Sequence, residues 1–401
     1  MGLTSRRSFL GALGALPLAA RAGRGLGWLR APAQQARLIQ SPAEALNVFD
    51  FEAVARARLP IAHWGYLATG VDDDTTLRTN REGFARFQLR ARRLVDTRRI
   101  DLGCELLGQR LDNPIILAPA GSQRAFHPDG ELAAARAART GNHLQILSTV
   151  TTTSVEEVAE ARGAPVWYQL YPTDTWRIAE ALIRRAEAAG CPVLVLTVDL
   201  NAGSNRETML RAMRADPRDC TPCHDGTFRG FSGRKPMFEG LNTRDANFGT
   251  PGMTWEFLDR LRQATRMKLV VKGIVSAEDA ERCTGAGVDA IIVSNHGGRA
   301  EESGRSTIEA LPEIVAAVRG RLPVVIDSGF RRGTDIYKAL ALGAQAVCVG
   351  RPYLWGLAAF GQPGVERVLE LLRTELRTAL GHAGATSLQG LDSRSVIARP
   401  G

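Results

Sequence analysis

Aromatic side chains are scarce in this chain. Six Trp, five Tyr and 13 Phe make up 6% of its 401 residues, while Gly alone contributes 41. A sandwich of two antiparallel sheets is a poor match for that composition, and close packing of helices on strands is a good one. The balance of charge is +9, with Arg dense in 1–37 and again in 78–99. No repeat of Lys or Arg interleaved with aromatics accompanies it, so the basic surface is read as solvated and not as a nucleic-acid face. No Gly-x-Gly-x-x-Gly follows the first expected strand, which argues against a dinucleotide fold. No metal site is expected. The apolar run Phe9–Ala20 is too short and too rich in Gly and Ala to span a bilayer.

That run has another reading. Thr4-Ser5-Arg6-Arg7-Ser8-Phe9-Leu10 precedes it and resembles a twin-arginine export signal, with candidate cleavage sites at Ala20-Arg21-Ala22 and Ala31-Pro32-Ala33. Residues 1–33 are therefore set apart from the fold, and a periplasmic or otherwise exported protein is expected.

From Ile115 onward a rhythm takes over. Short apolar runs recur at Ile115–Ala118, Leu144–Ser148, Val166–Leu170, Val193–Val198, Leu269–Lys272, Ala290–Ser294, Val324–Asp327 and Ala346–Gly350. Each is followed by a Gly- or Pro-marked turn and most by an Ala-rich amphipathic stretch, at 130–140, 155–161, 174–189, 255–265, 277–286, 308–319 and 334–342. Strand–helix units repeated eight times predict an α/β fold, a (β/α)8 barrel. Residues 41–70 predict a helical lead-in, 84–113 short extended pieces, and 365–380 a last helix. The domain is placed at 41–391. Some 70 residues separate strands four and five, and 200–254 within them is read as a long lid after strand four.

In such a barrel the polar residues just after each strand meet at one face. Here they are Pro119, Ala120 and Gly121; Ser148; Gln169 and Tyr171; Thr197 and Asp199; Lys272; Ser294 to Arg299; Asp327, Gly329 and Arg331; and Gly350 and Arg351. His296 is a base that titrates near neutrality, and Arg299, three residues on, has a fork shaped for a carboxylate. A cation at Lys272, hydrogen-bonding groups at Ser148, Gln169 and Thr197, and Gly-bearing loops after strands seven and eight suit a flavin with a single phosphate.

Several motifs now converge: Val-Lys-Gly at 271–273, Ser-Asn-His-Gly-Gly-Arg at 294–299, Arg-Arg-Gly-Thr-Asp at 331–335 and Gly-Arg-Pro at 350–352. With them the chain resembles the FMN-dependent 2-hydroxy acid oxidase/dehydrogenase family from about Phe49 to Leu391. The resemblance implies FMN, and oxidation of an L-2-hydroxy acid of lactate type to the 2-oxo acid. Electrons would pass to oxygen, a quinone or a cytochrome, and the assembly would be a homo-oligomer, a tetramer by likeness. It implies His296 as the base, Asp199 as the carboxylate that orients it, and Tyr171 beside the substrate hydroxyl. Tyr66, Arg299 and Arg206 would grip the substrate carboxylate. The cofactor residues implied are Pro119, Ala120, Gly121, Ser148, Gln169, Thr197, Lys272, Ser294, Asp327, Gly329, Arg331, Gly350 and Arg351.

The chain also departs from that family. Val150 stands where glycolate oxidase has a tryptophan, which leaves room for a larger side chain on the substrate. Ala120 replaces a threonine, and Asp327-Ser328-Gly329 replaces the commoner Asp-Gly-Gly. The lid carries Cys220-Thr221-Pro222-Cys223-His224, a spacing used for covalent haem, with Met209, Met213, Met237 and Met253 nearby. Its charged, turn-forming flanks offer a haem no apolar shell, so none is expected. A flavocytochrome with a lid-bound haem, or another FMN barrel of the isopentenyl diphosphate isomerase type, are the competing readings. Cys191, Cys283 and Cys348 lie in apolar contexts and are expected in the core.

Overall fold

A computed structural model describes residues 37–219 and 227–399. Residues 1–33, expected to be an export signal, and the Cys220–His224 motif lie outside those residues.

Eight short parallel strands form the centre: β1 (Ile115–Leu117), β2 (Ile146–Ser148), β3 (Trp167–Leu170), β4 (Val193–Thr197), β5 (Lys268–Ile274), β6 (Ala290–Val293), β7 (Val324–Ile326) and β8 (Ala346–Val349). Neighbours in sequence are neighbours in the sheet, and β8 pairs back onto β1, with Val347 opposite Ile115 and Val349 opposite Leu117. A parallel bridge between Leu117 and Gln145 completes the ring. This is the (β/α)8 barrel expected from the strand–helix rhythm.

Alternation along each strand explains why the runs are apolar throughout. Ile116, Ile146, Trp167, Val193, Val195, Val270, Ala290, Ile292, Val325, Ala346 and Cys348 fill the interior, whereas Ile115, Leu117, Ile291, Val293, Val324, Ile326, Val347 and Val349 face the helices. Strands buried on both faces need apolar residues at every position. The Arg-rich stretch before β1 forms a hairpin, Cys104–Leu106 with Gln109–Leu111, whose Leu106 and Leu111 join the interior cluster. It closes the end of the barrel where the strands begin, since Gln109 accepts from the Trp167 indole (3.3 Å) and the Leu107 carbonyl accepts from Lys268 (2.9 Å). Chemistry is left to the other end. Cys191, Cys283 and Cys348 are buried, as expected.

Two expectations need correction, and one helix was not foreseen. The lead-in is not one helix: it runs as a 3-10 turn Pro42–Glu44 and helices Phe49–Arg58 and Ile61–Ala68, broken at Leu59-Pro60 because proline cannot continue a helix. The polar turn Asp72-Asp73-Asp74 leads into a further helix, Thr75–Glu82, whose buried residues are Thr76 and Asn80. A buried face made of polar groups leaves no hydrophobic period to read. The final helix is longer than 365–380. It spans Arg351–Ala383, with a break at Phe360 and Gly361, where Gly361 has φ +63° and Pro363 follows.

Candidate active site

The strand ends open into a cavity of about 520 Å³. Tyr66, Pro119, Ala120, Gly121, Ser148, Val150, Tyr171, Thr197, Arg206, Lys272, His296, Arg299, Asp327, Gly329, Arg331, Gly350 and Arg351 all line it. Asp199, Gln169 and Ser294 stand behind that wall and hold what lines it.

His296 follows β6 in a turn of unusual backbone. His296, Gly297 and Gly298 have φ of +58°, +69° and +73°. Two glycines adopt this region freely, but a histidine there costs on the order of 1–3 kcal/mol and is seen where the surroundings impose it. Here the His296 and Gly297 amides donate to the Ser294 and Ser328 hydroxyls (3.1 and 3.0 Å), and the Gly298 amide donates to Asn295 Oδ1 (3.0 Å). A side chain at Gly298 would stand 2.6 Å from the backbone of Leu77.

The imidazole is bonded at both nitrogens. Nδ1 lies 2.7 Å from Asp199 Oδ1, and Nε2 lies 3.1 Å from the Tyr171 hydroxyl. A carboxylate on Nδ1 fixes the proton there and leaves the Nε2 lone pair toward the cavity. Asp199 fits only because residue 273 is Gly, at φ +115° in a bulge of β5, where a Cβ would stand 2.8 Å from that of Asp199. Burial would raise the Asp199 pKa, but His296 and Lys272 together outweigh it and hold it below the ordinary value. For His296, burial dominates and lowers the pKa, against the opposing pull of Asp199, so the ring is neutral near pH 7. Burial raises the Tyr171 pKa far above its ordinary value, so the phenol keeps its proton.

Lys272 Nζ donates to Ser294 Oγ (2.7 Å) and lies 3.3 Å from Asp327 and 3.8 Å from Asp199. Burial would lower its pKa, yet the two carboxylates win and raise it, so the cation persists under the cavity floor. The arginines are different. Arg299 donates to the Tyr66 and Thr69 carbonyls (2.7 and 3.1 Å) and lies over the Tyr66 ring at 4.9 Å. Arg351 donates to the carbonyls of Leu67, Thr69 and Gly297, which ties the lead-in to the His296 turn. Arg331 stacks on Trp355 at 4.6 Å. Burial, then neighbouring arginines, push Arg299 and Arg351 down to about 9 and Arg331 to about 10. Guanidinium groups crowded together and bonded to carbonyls create a strong demand for anions.

Unpartnered groups show what kind of ligand fits. Gln169 Nε2 and Thr197 Oγ1 are buried without a hydrogen-bond partner, as is Arg206 Nε. Gln169 and Thr197 stand at the ends of β3 and β4, and Arg206 stands in the lid. A planar ring with a polar rim satisfies the first two. A phosphate satisfies Gly329, Arg331, Gly350 and the N-terminus of the helix that begins at Arg351. The donor set therefore fits a flavin mononucleotide, with a second, smaller anion near Arg299 and Arg206.

Sequence reasoning missed two contributions. Asn80 reaches the turn of His296 from a helix that was not expected. The lid, read as polar, supplies an aromatic wall. The Phe248 ring meets Tyr171 at 6.2 Å, Phe228 at 4.6 Å and Phe231 at 5.6 Å, and Phe231 and Phe248 line the cavity. A signal for it existed, since four of the 13 phenylalanines fall between 228 and 248.

Comparison with known proteins identifies the family and the fold. Residues 55–398 match the family described as FMN-dependent dehydrogenase. The chain is 42% identical over 360 residues to an L-lactate oxidase of Nostoc sp., covering 88% of this chain and 98% of that one. It is 41% identical over 350 residues to a peroxisomal (S)-2-hydroxy-acid oxidase of Oryza sativa subsp. japonica, covering 86% and 93%. Among solved structures, a mandelate oxidase variant with (S)-mandelic acid superposes at a TM-score of 0.78 with 37% identity, covering 89% of this chain and 99% of that one. A soluble mutant of the membrane-associated (S)-mandelate dehydrogenase from Pseudomonas putida gives 0.80 and 36%, covering 88% and 99%.

Proposed function

The chain belongs to the FMN-dependent dehydrogenase family, and on that premise we propose that it oxidises an L-2-hydroxy acid to the 2-oxo acid and passes the electrons from FMN to dioxygen. It is an FMN-dependent oxidoreductase. The observation that carries the substrate reading is His296, braced by Asp199 at 2.7 Å, in a cavity that Arg299 and Arg206 also line.

Bound FMN supplies a two-electron acceptor for the hydrogen on the substrate α-carbon. Ser148, Gln169, Thr197 and Lys272 would hold its ring, and Gly329, Arg331, Gly350 and Arg351 its phosphate. The remaining work falls to the chain. Arg299 and Arg206 grip the substrate carboxylate, with Tyr66 beside them, and so present the α-carbon in one orientation. His296 Nε2 takes the proton of the substrate hydroxyl. As the O–H and C–H bonds break, the C=O bond forms, and the positive charge arriving on the imidazole meets the Asp199 carboxylate. Tyr171, still protonated, donates a hydrogen bond to the substrate oxygen. Closure by Phe231 and Phe248 keeps water from the reacting atoms.

The same lid residues, with Val150, bear on the size of the substrate. They face the cavity with apolar surface beside Tyr171, which favours side chains of lactate size or longer over glycolate. Dioxygen as the acceptor is supported by the oxidase names of the curated relatives. The test is anaerobic mixing of the yellow protein with a panel of L-2-hydroxy acids. Loss of the oxidised-flavin absorbance with lactate or a longer acid, and hydrogen peroxide on admission of air, are the results expected. A flavin that none of the panel bleaches would refute the reaction, and reoxidation only by a quinone or cytochrome would refute the acceptor.

A further inference from the structure

A turn held in the left-handed region needs an external frame, and the frame is traceable bond by bond. Asn80 is 1% exposed, in the helix Thr75–Glu82. Its Nδ2 donates to Asn295 Oδ1, and Asn295 Nδ2 donates back to Asn80 Oδ1, both at 2.9 Å. Asn295 Oδ1 also takes the Gly298 amide at 3.0 Å, which the Asn295 carbonyl shares at 3.0 Å, so both oxygens of Asn295 close the turn around His296. Asn80 Oδ1 takes the Thr307 amide at 3.3 Å, and Thr307 Oγ1 donates to the Asp327 carbonyl at 2.6 Å.

Backbone contacts point the same way. The helix leaves no space for a side chain at Gly298, against Leu77, or at Gly329, where a Cβ would overlap the Asn80 carbonyl. One short helix therefore abuts both the loop that carries His296 and the loop after β7. Its buried face holds Thr76 and Asn80 where an apolar stripe would give more stability. Paired amides in a dry site are strong when complete and costly when halved, so they specify one geometry.

We propose that Asn80 is a positioning residue for the oxidation: through Asn295 it holds the left-handed turn that aims His296 Nε2 at the substrate hydroxyl. The inference rests on the reaction proposed above. Without the Asn80 amide, Asn295 loses a donor and an acceptor and, Gly298 apart, its side chain keeps only the Arg305 carbonyl at 3.2 Å, so the bond from Gly298 is held less firmly. The turn then relaxes toward the right-handed backbone that a histidine prefers.

A residue that acts only through His296 has no effect once His296 is gone, which a merely structural residue does not obey. Anaerobic single-turnover reduction of the flavin by L-lactate is measured in the holoenzyme and in Asn80→Ala, His296→Ala and the double variant, with bound FMN quantified in each. The expected result is a fall of tenfold or more in the limiting rate for Asn80→Ala, with half-saturation and FMN content within threefold of wild type. Adding Asn80→Ala to His296→Ala changes the residual rate by less than twofold. Asn80→Asp keeps the oxygen that accepts from Asn295 and Thr307 but sets a second carboxyl oxygen against Asn295 Oδ1 in place of the donor, so its rate also falls; it serves if the alanine variant does not fold. A readout independent of turnover is the His296 Nδ1–H resonance, identified by its absence from His296→Ala, which shifts in both Asn80 variants. Equal factors in both backgrounds, a wild-type rate, rate loss that tracks FMN loss, or an unmoved resonance each overturn the inference. Wild-type protein that reduces no flavin with any hydroxy acid overturns the reaction first and the inference with it.

Discussion

The Ser328 hydroxyl accepts the Gly297 amide at 3.0 Å and so joins the loop after β7 to the turn that carries His296. The same hydroxyl donates to Asp327 Oδ1 at 2.7 Å, while Asp327 Oδ2 faces Lys272 at 3.3 Å. Ser328 does this from φ +79°, a backbone state that glycine adopts without strain.

Exchange at this position separates the hydroxyl from the strain. Ser328→Gly relieves about 1 kcal/mol of strain but loses two hydrogen bonds of about 1 kcal/mol each, so the melting temperature falls slightly. Ser328→Ala keeps the strain, loses the bonds and melts lower. Flavin reduction slows several-fold in both. Calorimetry with stopped-flow absorbance checks this, and a wild-type rate in Ser328→Gly would show the hydroxyl to be idle.

The pH dependence follows from the lowered pKa of His296. The base works when neutral, so kcat/KM is flat through neutrality and falls only below the ordinary histidine range. Asp199 raises the His296 pKa, so Asp199→Asn moves this acid limb to still lower pH while lowering the plateau. His296→Ala removes the limb and costs on the order of 10²–10⁴-fold in reduction rate. A limb at higher pH in Asp199→Asn would contradict the assignment.

Val150 packs where a side chain on Gly121 would overlap it, and both line the cavity. Val150→Trp fills the space beside Tyr171 and is expected to shift preference from lactate toward glycolate. Ratios of kcat/KM for the two acids decide it. A difference of one methyl group is worth ~1–3 kcal/mol in such a pocket, so the shift is at least several-fold, and an unchanged ratio removes Val150 from the wall.

Stability toward acid has a different source. His143 is buried, its Nδ1–H is given to the Ile115 carbonyl at 2.9 Å, and burial pushes its pKa down to about 4. Between pH 6.5 and 4 the unfolded chain binds a proton there that the folded chain refuses, so stability falls as pH falls, by up to about 3 kcal/mol at the low end. His143→Gln, though less stable at pH 7, loses less on acidification. Denaturant midpoints at pH 7, 5.5 and 4.5 test the difference in slope.

The segment Cys220–His224 is expected to carry no haem. Expression with residues 1–33 in a host that exports through the twin-arginine route and makes c-type cytochromes should give periplasmic flavoprotein without a covalent haem stain. A stained band lost in a Cys220→Ser/Cys223→Ser variant would make this a flavocytochrome, and activity confined to the cytoplasm would refute the export signal.

Strand–helix repetition was legible in the sequence because strands buried on both faces must be apolar throughout, and β1 to β8 stand where those runs are. His296, Arg299, Asp199 and Lys272 were legible for a related reason: strand ends converge in a barrel whatever the lengths of the loops between them. Their union at one end of the barrel follows from topology alone. What needed the tertiary structure was everything held by contacts remote in sequence. Asn80 and Asn295 are 215 residues apart, and each is an ordinary polar residue until the fold buries them face to face. Phe248 meets Tyr171 only because the lid folds back over β3. The left-handed state of His296 is decided partly in the same way: bonds within the turn, from the His296 and Gly298 amides to Ser294 and Asn295, close it, and the bond from Gly297 to Ser328 and the pairing of Asn295 with Asn80 tie it to neighbouring elements.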